Sequence, residues 1–145
     1  MTTRRDFVKS GCLACLGGVA GISTLLEACS PKNLPLLKFA EDDEKILKVP
    51  TNRFVIEKTN LLILRTTKLE NDILLIKENG QYRALYLQCT HEGLDLTPTS
   101  SKIYCAAHGS MFDFAGNVIT EPALKPLKQF KTALINSEII ISIFN

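Results

Sequence analysis

The chain has 145 residues, of which 46% are hydrophobic and 22% are charged, and its formal net charge is +2. This length suits one domain rather than two, and the composition argues against both a disordered chain and a basic surface for nucleic acid. The longest charged run, at 41–45, is typical of a solvated lead-in to a domain, so we assign it no function.

The first 28 residues are predicted to be an export signal rather than part of the fold. Arg4 and Arg5 are followed by Phe7 and Lys9 and then by an apolar, glycine-rich stretch. This pattern resembles the twin-arginine signal, which exports proteins that have already folded. Because a protein that receives its cofactor in the cytoplasm needs such a route, we expect the mature chain to be membrane-anchored on the periplasmic or outer side of a bacterial membrane.

The apolar stretch ends in Leu-Glu-Ala-Cys, which resembles a bacterial lipobox with Cys29 as the lipidated residue of a lipoprotein. Glutamate is unusual in such a box, and the alternative is an uncleaved N-terminal helix, since residues 10–26 carry no formal charge. Cys12 and Cys15 have C-x-x-C spacing, but they lie inside the leader and are excluded from the candidate site. We predict a leader at 1–28, a tether at 29–45 and a domain at 46–145.

From Ile46 onward, the apolar residues come in short runs bounded by turn formers, which indicates strands rather than helices. Asn79 and Gly80 supply the two positive φ angles of a type I′ hairpin, and residues 135–138 make a similar, weaker hairpin. The predicted class is all-β, a small antiparallel sandwich or barrel. The runs lie at 46–49, 53–58, 60–66, 72–77, 82–88, 101–105, 130–135 and 138–144.

Both histidines of the chain lie beside cysteines, in two segments that each follow a predicted strand. Cys89 and His91 form a C-x-H pair, and Cys105 and His108 form a C-x-x-H pair. Neighbouring strands bring such loops together, so we predict a metal site with these four ligands. Structural zinc is one candidate, but its ligands usually come as pairs of one type. Mixed pairs suit a binuclear iron–sulfur centre, in which each loop reaches both irons.

The segments CTHEG and CAAHGSMFD resemble the paired motifs of the Rieske family, C-x-H-x-G and C-x-x-H-G-S. The resemblance spans roughly residues 46–145 and implies a Rieske-type [2Fe-2S] cluster on an all-β fold with a cluster-binding subdomain of two loops. It implies Cys89 and Cys105 on the inner iron, and His91 and His108 on the outer, solvent-facing iron. It also implies that four residues shape the loops around the cluster, namely Gly93, Gly109, Pro122 and Pro126.

The chain departs from the high-potential, quinol-oxidising members of that family. Leu94 and Ala107 stand where those members have a disulfide between the two loops, and Phe112 replaces a tyrosine that donates a hydrogen bond to a ligand thiolate. Ser110 retains the serine that donates to a bridging sulfide. Fewer such hydrogen bonds predict a middle-to-low potential. Glu92 either disfavours the reduced cluster through its charge or is an ordinary solvated loop residue.

The resemblance implies one-electron transfer by a membrane-tethered carrier, or by an electron-transfer subunit of an exported or membrane oxidoreductase. Whether this counts as an enzyme is left open, because we identify no catalytic residue and no substrate site of its own. A protein redox partner is expected to dock over His91, His108 and Pro122. The alternatives are the Rieske subunit of a quinol-oxidising cytochrome bc-type complex and, more remotely, a zinc-stabilised β binding domain.

Overall fold

The computed structural model describes residues 34–39 and 45–144, which form eleven strands and one short helix. The prediction of an all-β fold is therefore confirmed. In chain order the elements are β1 Leu36–Phe39, β2 Ile46–Pro50, α1 Arg53–Ile56, β3 Leu61–Thr66, β4 Ile73–Glu78, β5 Gln81–Tyr86, β6 Thr97–Pro98, β7 Ile103–Tyr104, β8 Met111–Phe112, β9 Val118–Thr120, β10 Gln129–Ile135 and β11 Glu138–Ser142.

The strands form two sheets, a larger one that serves as the base and a smaller one that carries the candidate site. The base sheet has seven strands in the order β1-β3-β4-β5-β10-β11-β2, and all its neighbours are antiparallel except β1 and β3. The second sheet has four very short antiparallel strands in the order β6-β7-β8-β9. The chain enters this second sheet after β5 and returns to the base sheet at β10.

Strand β4 explains how the two sheets pack. Its run Ile-Leu-Leu-Ile is buried at every position, which requires cover on both faces because successive side chains of a strand point to opposite sides. Ile73 and Leu75 belong to a core formed within the base sheet. Leu74 and Ile76 belong to a second core, which contains the apolar residues of the small sheet and both Cys89 and Cys105.

Two tight turns set the register of the base sheet. Asn79 and Gly80 have φ angles of 49° and 78°, as a type I′ turn requires, and they connect β4 to β5. Asn136 and Ser137 have φ angles of 49° and 65° and connect β10 to β11 in the same way. Both predicted hairpins are confirmed.

Two expectations about individual segments are wrong. The run 53–58 was predicted as a strand, but it contains α1, where Phe54 is buried and the next two residues are exposed. An Arg53–Glu57 ion pair at i,i+4 spacing, 3.2 Å between Nη2 and Oε1, supports this turn of helix. Regular structure also begins before Ile46, because β1 lies within the segment predicted as a tether and pairs with β3.

Within the described residues, no helix has the length and apolarity needed to cross a bilayer. The predicted leader at 1–28 and the lipidation residue Cys29 lie outside the described residues. The export signal and the lipidation of Cys29 therefore stay predictions.

Candidate metal centre

Two loops present the four predicted ligands, and they share one backbone design. In loop A, residues 89–94, Cys89 N donates to Leu94 O at 2.8 Å, and Gly93 N donates to Cys89 O at 2.7 Å. In loop B, residues 105–110, Cys105 N donates to Ser110 O at 2.8 Å, and Gly109 N donates to Cys105 O at 3.0 Å. In each loop the cysteine carbonyl accepts from the residue four positions later, and the cysteine N–H donates to the residue five positions later. These two hydrogen bonds close the loop.

The glycines of these loops are explained by backbone geometry. Gly93 and Gly109 have φ angles of +76° and +81°, in a region that residues with a Cβ atom rarely adopt. A Cβ atom at Gly109 would contact nothing within 4 Å, and one at Gly93 would meet only the Gln88 side chain at 3.7 Å. Conformation, rather than crowding by other protein atoms, accounts for glycine at both positions.

The loops place their cysteines inside and their histidines outside. Cys89 and Cys105 are 2% and 1% exposed, they lie in the same apolar core, and both are free thiols. His91 and His108 are exposed, and their ring centroids are 5.0 Å apart with the ring planes at 84°. The structure thus places two soft donors in one apolar core and two imidazoles at the surface, on the same pair of loops.

A third segment, residues 121–127, lies beside both loops, and we call it the covering segment. Thr90 Oγ1 of loop A donates to Lys125 O at 2.6 Å, and Ser110 Oγ of loop B accepts from Ala123 N at 3.0 Å. Buried Ala123 and Leu127 join the core that contains the ligand cysteines. The covering segment therefore connects the two loops by hydrogen bonds and apolar packing.

Ser110 and Phe112, two of the three residues predicted to tune the site, are both completely buried. Because the Ser110 oxygen accepts from Ala123 N, its hydroxyl proton remains available for donation. Phe112 lies in β8 within the same core as Cys89 and Cys105, and its ring has no polar group to offer. The chain thus retains one of the two side-chain donors discussed above.

Glu92 is exposed and lies near one predicted ligand. Its Oε2 is 3.6 Å from Nε2 of His108, and together with His91 these residues bring their ligand-type atoms within 4.8 Å of one another. The contact places a carboxylate at the imidazole edge. A negative charge there opposes the addition of another negative charge to the site.

A polar network behind loop A was not predicted from the sequence. The Asn71 side chain donates to the Asp95 carboxylate, just after loop A, and the Asn71 backbone N donates to the Tyr86 hydroxyl at 3.2 Å. Beside it, Arg65 makes two 2.8 Å hydrogen bonds to Asp72, and this pairing raises the pKa of Arg65 above its ordinary value. These partners are distant in sequence, so no local motif indicates them.

A set of hydrogen bonds between residues close in sequence shapes the turn between β8 and β9, next to Phe112. The Asp113 carboxylate accepts hydrogen bonds from the backbone N atoms of Ala115 and Asn117, at 2.9 and 2.8 Å, and from the Asn117 side chain. Burial raises the pKa of this carboxyl, but the hydrogen bonds to its charged form outweigh burial and hold the Asp113 pKa below its ordinary value.

The donor set fits an iron–sulfur centre with two thiolate and two imidazole ligands, since both thiols are buried and free and the same two loops carry the exposed imidazoles. A model of the Rieske [2Fe-2S] domain family matches residues 48–131, more than half of the chain. The chain belongs to the Rieske [2Fe-2S] family. Its cofactor is therefore a Rieske-type [2Fe-2S] cluster, and its function is Rieske-mediated electron transfer, which decides against the zinc alternative.

Two of its relatives are subunits of cytochrome complexes. The cytochrome b6-f complex iron-sulfur subunit of Chlorobaculum thiosulfatiphilum is 27% identical over 147 aligned positions, which cover 94% of this chain and 76% of that protein. The cytochrome b6-f complex iron-sulfur subunit 3 of Nostoc sp. is 34% identical over 77 positions, which cover 50% of this chain and 43% of that protein.

Solved structures share the fold. The cyanobacterial plasma membrane Rieske protein PetC3 from Synechocystis superposes with a TM-score of 0.54 at 25% identity, covering 66% of this chain and 97% of that one. A chain from the complex of reduced oxygenase and oxidised ferredoxin in carbazole 1,9a-dioxygenase superposes with a TM-score of 0.53 at 19% identity, covering 70% of this chain and 95% of that one. The second similarity concerns the fold alone.

Proposed function

We propose that Cys89 and Cys105 hold the inner iron of the cluster and that His91 and His108 hold the outer iron. The observation that carries this assignment is the contrast in burial between the two pairs of side chains, on loops of the same backbone design. When bound, a cluster of this type accepts and releases one electron at a time. The exposed imidazoles then form the edge at which a redox partner approaches.

The side chains around the loops adjust the site and keep it closed. Ser110 is proposed to donate its hydroxyl proton toward the buried sulfur side, while Ala123 N fixes its oxygen from behind. Phe112 excludes water from the core behind the thiolates without adding a donor. Glu92 places a negative charge at the imidazole edge. We propose that these three residues together give a middle-to-low potential.

We further propose that the protein is a membrane-tethered electron carrier, or an electron-transfer subunit, on the exported side of a bacterial membrane. The support is the twin-arginine-like leader at 1–28 and the lipobox-like Cys29, with an uncleaved N-terminal helix as the alternative anchor. PetC3 is described as a plasma membrane Rieske protein, which is consistent with this placement. Because β1 lies within 29–45, the free part of the tether is shorter than the sequence suggested.

A second candidate is the Rieske subunit of a quinol-oxidising cytochrome bc-type complex. It is favoured by the relatives that are subunits of the cytochrome b6-f complex. Against it, the high-potential pattern is incomplete, because Leu94 and Ala107 replace the disulfide and Phe112 replaces the tyrosine. The covering segment, held by Thr90 and Ser110, links the loops instead. We therefore rank the tethered carrier first.

The test of the ligand assignment uses the purified full-length protein. Iron and labile sulfide in equal amounts, visible absorption and a rhombic electron paramagnetic resonance signal on reduction are expected for the native chain. Cys89→Ser and His108→Ala should each abolish the signal, whereas Thr99→Val, away from the loops, should leave it unchanged. A native chain that binds zinc without sulfide, or a normal signal from His108→Ala, would contradict the assignment.

A midpoint titration together with a quinol–cytochrome c reductase assay separates the two candidate functions. The tethered carrier predicts a midpoint in the lower half of the family range of about −150 to +300 mV, and no reductase activity of membranes that depends on this protein. A bc-type subunit predicts a midpoint near the upper end and loss of reductase activity when the protein is removed. Pull-down of the tethered protein with its membrane neighbours then identifies the redox partner.

A further inference from the structure

Four exposed apolar side chains lie at the end of the base sheet that is remote from the ligand loops. Val55 and Ile56 of α1 are 72% and 59% exposed, and Leu134 and Ile135 at the end of β10 are 57% and 53% exposed. We call these four residues the far-end patch. Isolated apolar side chains on a surface are ordinary, but a group of them at one end of a domain marks a surface that something covers.

The strand pairing brings the two halves of the far-end patch to the same edge. Ile135 pairs with Glu138 across the β10–β11 turn, and Glu138 in turn pairs with Pro50, the last residue of β2. Thr51 N then donates to Ser137 O at 2.9 Å, which attaches the start of the α1 segment to this turn. The helix and the hairpin tip are therefore neighbours at this end of the sheet.

The ligand loops lie at the other end of the same sheet. Strand β5 begins at Gln81 beside the far end and runs to Tyr86, after which Cys89 opens loop A. Strand β10 runs back from Gln129, which pairs with Leu85, to Ile135. Eight residues of extended chain from Gln81 to Cys89 correspond to about 26 Å, which separates the far end of β5 from the start of loop A.

The N-terminal part of the chain enters at the far end as well. Strand β1 is parallel to β3, with Leu36 opposite Ile63, and Ile63 N donates to Pro35 O at 2.9 Å. The chain before Leu36 therefore lies on the side from which β3 starts, and β3 starts just after α1. The described chain, beginning at Leu34, therefore enters β1 from the side of the far-end patch.

The tether is also short. Leu36 comes seven residues after Cys29, and seven residues span at most about 25 Å when fully extended. An uncleaved apolar segment would end at Leu26, only three residues earlier. Either form of anchor keeps the far end of the domain close to the bilayer.

We propose that the far-end patch rests on the lipid surface that holds the tether, and that the imidazole edge faces the aqueous compartment. This inference depends on the proposed membrane tether. A lipid surface is favoured over a second copy of the chain, because four side chains provide much less than the roughly 1,000 Å² of total buried surface that a stable protein interface needs. The tether removes most of the cost of bringing the patch to lipid, so a weak apolar contact is enough to orient the domain.

This orientation determines the side from which a redox partner approaches. With the imidazole edge turned away from the bilayer, a partner meets it from the aqueous side, as a soluble protein or as the soluble domain of a membrane protein. A quinol held within the bilayer would instead require the domain to turn over. The orientation therefore sharpens the proposed role as a carrier to aqueous partners.

The test uses full-length holoprotein reconstituted in vesicles that contain brominated lipids, which quench only fluorophores that touch the acyl region. A fluorophore is attached through Val55→Cys in one sample and through Leu124→Cys in the other. These positions are similarly exposed, at 72% and 81%, and lie at the far end and in the covering segment respectively. We expect several-fold stronger quenching of the label at position 55.

A matched pair of second substitutions checks that the patch itself makes the contact. Ile135→Asp should reduce quenching of the label at position 55 by at least half, whereas Ile119→Asp, similarly exposed at 57% but on β9, should leave it unchanged. Equal quenching at both labels, stronger quenching at position 124, or no quenching at either label would overturn the proposal. Self-association that disappears with Ile135→Asp would overturn it in favour of a dimer.

Cell fractionation of the unlabelled chain distinguishes failure of the proposed orientation from failure of the proposed tether. A protein that stays with the membranes and incorporates palmitate, but whose position 55 is not quenched, retains the proposed tether and loses only the orientation. A protein recovered in the soluble fraction refutes the tether, and the orientation with it. The resonance signal of the cluster should be the same in the variant labelled at position 55 as in the native chain, since α1 belongs to neither ligand loop nor to the covering segment.

Discussion

Ser110 and Phe112 are separated by one residue and are both fully buried, and Phe112 shares a core with Cys89 and Cys105. One offers a free hydroxyl proton and the other offers none. A hydrogen bond to a sulfur atom disperses negative charge and so stabilises the reduced cluster more than the oxidised cluster. At the scale of single residues, we therefore expect the potential to depend largely on how many donors the buried side of the proposed site contains.

The first prediction concerns the midpoint potential. Ser110→Ala should lower it and Phe112→Tyr should raise it, each by about 40 mV if the hydrogen bond differs by about 1 kcal/mol between oxidation states of this one-electron couple. Glu92→Gln should raise it by less, because the exposed carboxylate is screened by water. Redox titration followed by circular dichroism measures all three. Unchanged midpoints in both Ser110→Ala and Phe112→Tyr would refute this account of tuning.

Ser110→Ala also removes the acceptor of the Ala123 N–H group, so it needs a control that disturbs the covering segment alone. Thr90→Val serves, since the Thr90 proton already goes to Lys125 O and is not available to sulfur. The second prediction is that Thr90→Val leaves the midpoint unchanged but speeds cluster loss several-fold, because losing this hydrogen bond costs about 1 kcal/mol.

The rate of cluster release at elevated temperature, followed by visible absorption, measures the effect of Thr90→Val. Thr99→Val removes a hydroxyl-to-carbonyl hydrogen bond, 2.8 Å to Lys102 O, in the β6–β7 turn, together with the acceptor of Ser101 N and Lys102 N. It should reduce overall stability at least as much as Thr90→Val without accelerating cluster loss. Equal acceleration by both variants would show that Thr90 has no special relation to the covering segment.

At the scale of elements, we expect the turn between β8 and β9 to tolerate replacement of its glycine less well than the β4–β5 hairpin does. Gly116 has a φ of +89°, and a Cβ atom there would lie 3.2 Å from Leu85 Cδ2 and 3.6 Å from Leu127 Cβ. Gly80, in the β4–β5 hairpin, has a similar φ of +78° but nothing within 4 Å of such an atom. The two glycines separate the cost of conformation from the cost of crowding.

The third prediction is that Gly80→Ala lowers the free energy of unfolding by about 1 kcal/mol, the usual cost of left-handed backbone for a residue with a Cβ atom. Gly116→Ala should lower it by about 1 kcal/mol more, because Leu85 and Leu127 must also move. Chemical denaturation of the two holoproteins gives both values. A Gly116→Ala protein no less stable than Gly80→Ala would show that the core around Leu127 yields without cost.

The elements also show what the sequence could predict. The hairpins at Asn79 and Asn136 were predictable because their turn chemistry is local. The ligand loops were predictable because spacing within each motif and the preceding strand specify them. The helix α1 was missed because a single turn leaves no periodicity to read, and its apolar residues look like a strand. Strand β1 was missed because its partner β3 is remote in sequence.

In the candidate site too, features that depend on local motifs were predictable, whereas contacts between residues distant in sequence were not. Cys89, His91, Cys105 and His108 are predicted as ligands from local motifs. The structure places the two cysteines in one core and the two histidine rings 5.0 Å apart. The contacts of the Asn71 side chain with Asp95 and of Thr90 with Lys125 were not found, since they join residues 24 and 35 positions apart. Single-sequence patterns carry no information about such pairs until the strands have been placed in the sheet.

At the scale of the whole molecule, the two apolar cores define two regions. We expect the stability of these regions to depend on the cluster to different degrees. The core within the base sheet draws on β2, β3, β4, β5, β10 and β11 and includes no predicted ligand. The second core contains Cys89, Cys105 and the residues of the small sheet, whose strands are only two or three residues long. Strands this short are not stable by themselves, so we expect the bonds between the proposed ligands and the cluster to supply much of the stability there.

The fourth prediction follows from this division. Removing iron by chelation, or blocking cluster insertion with Cys105→Ser, should abolish amide hydrogen-exchange protection in residues 97–120 while β3, β4 and β10 keep most of theirs. Exchange measured by mass spectrometry on the holoprotein and the apoprotein provides the comparison, with Thr99→Val as a variant that keeps the cluster. Uniform loss of protection would mean that the two cores fold as one cooperative unit, and full retention would mean that the ligand loops are stable without metal. Partial loss confined to the small sheet would show that the base sheet folds on its own and carries a separately stabilised redox site.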